Sequence, residues 1–453
     1  MTRKFKTVDY EEALELAVKI GDVLPAEHLA RFVVFVIAEL DLSTIYQRYA
    51  PLGGPPYAPE ILVGLLFYGY ATGVFSSRKI EKGTYETIPF HFIAGGLHPD
   101  HDTIANFRKD FLPEIQELFV QILVVAHMMG LLKLGNISLD GTKIHADASK
   151  HNAVSYQRLL ELESKLEAEV KELFALAEKA DREGVPEGMV IADEIALRQS
   201  RMAQLALAKT VLEARAELRY EVEKAEYEAK MKERKAKEQA SGRKFGGPKP
   251  KPPVPGPRDK DQYNFTDPAS QIMKNSTNQG FDQHYNTQVA VEQQSLLIIG
   301  KGLSNHPNDK QEAVPTLEAI PTDQLGWPDA AAMDNGYFSQ DNINEFRKRG
   351  VEPYIATGRE PHHQNWEIFF AGQPDPPPED ASPKVKMAYK LQTDIGRAIY
   401  RLRKCTVEPV LGIIKEGLGF RQFSLRGLAA AAGEWGLVCI GFNLKRMHTL
   451  YYS

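Results

Sequence analysis

The chain has 453 residues, 43% of them hydrophobic and 25% charged, with a formal net charge of -5. At the usual ~100–200 residues per domain this length holds two or three domains with a large core, and the composition is that of an ordinary soluble protein. The two cysteines, Cys405 and Cys439, have no CxxC or Cys/His partner spacing, which argues against a disulfide framework or a structural zinc site and suits a reducing cytosol.

The opening MTRKFKTVDYEEALELAVKIGD puts acids where a secretory signal needs a continuous apolar stretch, and no later run approaches about 18 apolar residues. The expectation is a cytoplasmic protein that neither is exported nor spans a membrane. The net charge alone speaks against a nucleic-acid partner, because phosphate binding is driven by a local excess of Lys and Arg. Its distribution reverses that: Lys384 to Arg426 carries ten Lys or Arg against three acids, and Gly242 to Arg258 carries five against none.

Residues 1–133 read as helical. Ala13, Leu16, Ala17 and Ile20 recur at three- and four-residue steps, Phe32 to Leu40 continues an apolar face, and Pro59 suits the first turn of another helix. Asp102-Thr103 before IANFRKDF predicts a capped short helix presenting Asn106, Arg108 and Lys109, either in a helix-turn-helix or in a plain bundle. Residues 136–146 predict a strand, and 134–150 the first part of an α/β core. From His151 the pattern is strongly helical: Leu159, Leu162, Leu166, Val170 and Leu173 form one stripe, and a break at Gly184 to Gly188 precedes a second long helix. This predicts a helical hairpin over 151–241, serving as a solvated insertion or a contact between two copies.

The Pro/Gly-rich basic stretch at 242–261 reads as a mobile linker. Over 262–453 the character alternates: two β-rich runs in NTQVAVEQQSLLIIGKGLS, a helix in DKQEAVPTLEAI, a strand in AAAMD, a helix in QDNINEFRKRG and a strand in VEPYIAT. Helix returns from Met387 to Lys415, and GEWGLVCIGFNLKRM closes the chain. That is a mixed sheet flanked by helices, split in sequence by the hairpin.

Three carboxylates stand out. Asp140 in LDGTK and Asp334 in MDNGY each end an apolar strand-like run beside a glycine, where a carboxylate can face a cleft, although Asp-Gly and Asn-Gly are equally good hairpin turns. Glu408 shares a predicted helix face with Lys404 and Lys415, and Pro409 places it at a kink or first turn. Such oxygen ligands with basic neighbours suit Mg²⁺ or Mn²⁺ and displacement at phosphorus. Asp309 reads as a helix cap and Asp267 stays open between turn and ligand, whereas His362 and His363 read as a surface loop.

Across nearly its whole length the sequence resembles the bacterial insertion-sequence DDE transposases. The resemblance runs through PPYAPEILVGLLFYGYATGVFSSRKIE, HPDHDTIANFR, ISLDGTKIHADASK, YNFTDPASQIM, YNTQVAV, MDNGYFS and TVEPVLGIIK followed by GFRQFSLRG. It implies an RNase H-like core preceded by an all-α, DNA-binding N-terminal domain. Asp140, Asp334 and Glu408 then become the metal-binding catalytic set, and Mg²⁺ becomes the cofactor, with Mn²⁺ able to replace it. Lys415, Arg401, Arg403, Lys404, Tyr400, Arg421, Arg426 and Arg108 become candidate DNA contacts. The implied partners are double-stranded DNA at terminal inverted repeats and at a target, with two protomers pairing the ends and the protein associated with the nucleoid. The family places Tyr, Arg, Glu and Lys with gaps of two, three and six residues; here Arg403 to Glu408 is one longer, and counting back from Glu408 offers Lys404 and Arg401 instead of Arg403 and Tyr400. A metal-dependent nuclease that cuts without joining and an inactive DNA-binding derivative are the rival readings.

Overall fold

The computed structural model describes residues 19–49, 55–183, 190–241, 249–275, 280–358 and 375–453. The chain divides into two compact units: one holds 1–147, 275–279 and 284–453, the other 148–274 and 280–283. Among the described residues no single helix is long and apolar enough to cross a membrane. Ala13, Leu16, Ala17, the break at 184–188, residues 242–248 of the linker, and His362 and His363 lie outside the described residues.

The longer helices at the start of unit 1, between which short helical turns lie, are α1 (Leu29–Ala38), α2 (Pro59–Thr72), α3 (Ser77–Glu86), α4 (His101–Asp110) and α5 (Leu112–Met128), followed by strand β1 (Ile137–His145). Pro59 stands in the first turn of α2 as its missing N–H allows. Asp100, rather than Asp102, caps α4, its carboxylate accepting from the Thr103 N–H at 2.8 Å. Asp100 sits three residues before that donor, the spacing of a cap and its partner.

Unit 2 interrupts the sheet with β2 (Ala153–Ser155), α6 (Tyr156–Glu183), α7 (Ile191–Ser241), β3 (Gln262–Asn264) and β4 (Gln271–Lys274). The pairs Glu163–Lys209 and Glu169–Arg198, both at 2.8 Å, show α6 and α7 running antiparallel. Leu159, Leu166, Leu205, Ala208 and Leu212 form the hairpin's core with Val154 and Tyr263. The described end of the basic stretch does not read as a free linker. Arg258 pairs with Glu223 at 2.6 Å and Asp261 with Arg219 at 2.9 Å, so acids and bases of α7 hold it down.

The remaining elements are β5 (Phe281–Glu292), β6 (Ile298–Ser304), α8 (Ala313–Glu318), β7 (Ala330–Met333), α9 (Gln340–Lys348), β8 (Glu352–Ile355), α10 (Pro383–Gln392), α11 (Asp394–Gly412) and α12 (Leu428–Tyr451). From His284 on, β5 belongs to unit 1. There β5 pairs antiparallel with β6 and with β1, while β1, β7 and β8 run parallel, giving the order β6-β5-β1-β7-β8. The all-apolar AAAM of β7 is fully buried, as a strand covered on both faces requires. Helix α11 packs across β1, β7 and β8, while α12 packs on α2, α5 and β6. Glycines make that second packing close: a Cβ on Gly441 would stand 2.7 Å from backbone atoms of Tyr70 and Ala71 in α2.

Candidate active site

Asp140 is not in a turn. It lies inside β1 opposite Val289 of β5, with Gly141 opposite Gln288. On the other edge of β1, Leu139 pairs with Met333 of β7, so Asp140 and Asp334 follow matched residues of adjacent parallel strands. The C-terminal ends of parallel strands are where α/β sheets open crevices. Asp334 caps the single turn that follows, accepting from the Gly336 N–H at 2.7 Å.

Helix α11 supplies the third carboxylate. Thr406 donates to Ser138 Oγ at 2.8 Å and Gln293 donates to the Ile399 carbonyl at 3.2 Å, which fixes the helix over β1. The helix runs through Pro409, so Glu408 lies within it and not in a first turn, half-exposed. Arg403, only 7% exposed, sits one turn earlier. It donates from Nη1 to Asp140 Oδ2 at 2.8 Å and from Nη2 to Glu408 Oε1 at 3.1 Å. Of the two residues that the spacing offers, the fold turns Arg403 toward the carboxylates and leaves Lys404 on the exposed face. The Arg403 guanidinium also lies 5.9 Å from the Tyr400 ring.

Beneath this set is a polar network that local sequence does not reveal. Asp309 Oδ1 accepts from Asn286 Nδ2 and from Gln288 Nε2, each at 2.8 Å, and Tyr337 donates to Gln288 Oε1. Asp309 therefore does not use its side chain as a helix cap; its partners stand on β5, more than twenty residues upstream. Gly141 lets the Gln288 carboxamide come close, since a Cβ there would displace it and the hydrogen bonds it makes to Asp309 and Tyr337. Asp267 lies in unit 2, fully buried, and accepts from the Ala269 N–H at 3.2 Å within a turn.

Burial pushes the Asp140 carboxyl up to about 7; Arg403 and the Gly141 N–H pull it down, and Asp334 and Asp309 raise it further. Burial likewise raises Asp334, against the Gly336 N–H and Arg403. Two carboxylates that are hard to ionise side by side form a site short of positive charge. Among the described residues no three His, Cys, Asp or Glu side chains converge into a ready metal cage. The donor chemistry nonetheless fits a hard divalent cation, since Asp140, Asp334 and Glu408 offer only carboxylate oxygens.

Lys415 falls in a π-helical turn, Ile413–Gly417, and donates to Thr142 Oγ1 on β1; burial lowers its ammonium from the ordinary lysine value. Such turns recur at functional sites. Arg421 pairs with Glu416, and Arg426 reaches Asp147 at 2.8 Å; both are exposed, as is Arg401. Arg108 is not presented with Asn106 and Lys109. It is 7% exposed and donates to the Tyr70 hydroxyl at 3.1 Å and the Phe75 carbonyl at 3.2 Å, while Tyr70 donates to the buried Glu434.

Two family models match the chain, one described as a transposase domain (DUF772) over residues 18–110 and one as a transposase DDE domain over residues 378–448. The second spans Glu408 and Lys415. No curated protein and no solved structure matches.

Proposed function

We propose that this chain, which models of a transposase domain and a transposase DDE domain match over residues 18–110 and 378–448, is an insertion-sequence DDE transposase that cuts the ends of its element and transfers the freed strands to target DNA at Asp140, Asp334 and Glu408. The observation that carries this reading is the placement of two partly buried carboxylates, Asp140 and Asp334, directly after the matched residues Leu139 of β1 and Met333 of β7, with Glu408 tied to Asp140 through one guanidinium. The sheet order supports an RNase H-like core, with three antiparallel strands followed by two parallel ones, interrupted by the hairpin between β1 and β5.

Asp140, Asp334 and Glu408 would hold Mg²⁺, or Mn²⁺ in its place, which when bound would activate the attacking oxygen and stabilise the leaving one. In cleavage a water oxygen attacks the phosphodiester and the 3′ oxygen leaves, taking up a proton. In joining that 3′-OH attacks a target phosphodiester and displaces its 3′ oxygen. Lys415, Arg401, Lys404, Arg421 and Arg426 present cations along and beyond α11 for the DNA backbone, with Tyr400 beside them. Double-stranded DNA at terminal inverted repeats and at a target is the proposed substrate, held by paired protomers.

The test is cleavage and joining of labelled DNA carrying the flanking element ends, with Mg²⁺ or Mn²⁺. Wild type should do both, while Asp140→Ala, Asp334→Ala and Glu408→Ala bind the ends and lose both activities by about a hundred- to a thousandfold, the scale of lost charge stabilisation in such sites. Cutting without joining of a pre-cut end would leave a nuclease, and binding without cutting under either metal a DNA-binding derivative.

A further inference from the structure

We propose that Arg403 is a positioning residue that acts as the resident counter-cation of the carboxylate set, holding the oxygens a divalent metal would take and exchanging with that metal when it binds. The inference rests on the reading of Asp140 and Glu408 as metal ligands, and it concerns a residue that family spacing leaves ambiguous and that would otherwise count as one more DNA contact.

The geometry is specific. One nearly buried guanidinium spans Asp140 Oδ2 at 2.8 Å and Glu408 Oε1 at 3.1 Å, joining the central strand to α11. A planar fork with five donors suits two carboxylates at once. Asp140 Oδ1 already accepts from the Gly141 N–H at 2.8 Å, so a cation bound by the same two carboxylates draws on negative charge and lone pairs that the guanidinium already uses and sets a second positive charge beside it; the guanidinium and the metal compete. The third edge of the fork is unsatisfied, because Arg403 Nε is buried with no hydrogen-bond partner among the described residues. The two acids therefore supply all the hydrogen bonds of the guanidinium among the described residues, while burial and the Tyr400 ring hold the rest of the side chain.

The backbone beneath it is anchored differently. Thr406 and Gln293 tie α11 to β1 through Ser138 and the Ile399 carbonyl without using Arg403. The side chain can therefore leave the two carboxylates while the helix stays, and the position of Glu408 does not depend on the bridge alone. With the metal in its place, a guanidinium released beside the site is free to meet an anion, and the substrate supplies a phosphate.

The full-length chain, without DNA, is titrated with Mn²⁺ and the free ion read by electron paramagnetic resonance, comparing wild type with R403Q, R403K and D140A. Arg403→Gln is expected to bind Mn²⁺ about tenfold more tightly than wild type, with a lower melting temperature in the absence of Mn²⁺ that Mn²⁺ restores. Arg403→Lys keeps the charge but cannot span both acids in one fork, so it should fall between the two, and it carries the test if the Gln variant does not fold. Mn²⁺ affinity of R403Q at or below wild type would overturn the exchange. So would an R403K affinity equal to wild type, since charge alone would then explain the Gln result. Asp140→Ala separates this from the underlying reading: if it binds Mn²⁺ as wild type does, the metal site itself is misplaced.

Discussion

Asp140 shows how one residue's chemistry follows from its neighbours. Its carboxyl, pushed up to about 7 by burial, holds a proton in the folded state that the unfolded chain has already released. The folded state therefore binds more protons between the ordinary carboxylate value, near 4, and about 7, so stability is highest below that window and falls as pH rises through it. Asp140→Asn mimics the neutral form. It should gain up to about 4 kcal/mol over wild type at pH 8, and clearly less at pH 5, by urea denaturation at both values. An equal gain at both pH values would mean that burial of the charge is not what strains this position. At the same scale, the aspartates stood out in sequence because each ends an apolar run near a glycine. Arg108 and Arg403 were not. A helical pattern identifies cations but not which of them turns inward, and both are 7% exposed.

Among the elements, α12 packs closely through its glycines. Its glycines let other helices come close: Gly433 faces Leu112, Gly436 faces Gln116, and Gly441 lies against the backbone of Tyr70 and Ala71. A side chain in the first two contacts can move, but backbone cannot. Gly441→Ala should therefore destabilise by about 1–3 kcal/mol, the usual cost of overpacking a close contact, seen as a lower urea midpoint. A midpoint unchanged or raised would show that α2 and α12 can separate freely. The same element holds Glu434, whose Oε2 accepts from the Ser424 and Leu425 N–H groups at 2.8 and 3.0 Å and so fixes the turn before α12. Pro59 and the apolar run GEWGLVCIGFNLKRM predicted the two helices; the glycine contacts needed the partner.

At the scale of the molecule, the long hairpin enters between two strands that are themselves paired. His145 of β1 faces His284 of β5, so the chain leaves unit 1 and returns to it at neighbouring points. Replacing residues 148–281, which takes out 275–279 of unit 1 along with most of unit 2, with a short Gly/Asn turn should therefore leave the rest of unit 1 folded, because a two- to five-residue loop is all an antiparallel pair requires. Circular dichroism and a cooperative thermal transition would check it, and an aggregated or non-cooperative product would show that unit 1 needs the insertion. If that protein folds yet no longer pairs element ends, the hairpin's part in assembly is located as well.

The sequence by itself determined the order of the main strands and helices and the helical hairpin of unit 2, and it singled out three carboxylates with a basic stretch around them. These are local properties of spacing, side-chain type and turn chemistry, and they survive without knowledge of neighbours. Only the tertiary structure decided that Asp140 is strand and not turn, that Asp309 faces Asn286 and Gln288 instead of capping a helix, and that Arg403 bridges Asp140 and Glu408. Those facts join residues up to 263 positions apart. They follow from sheet register and from the face on which α11 lands, which the alternation of polar and apolar residues along one segment does not contain.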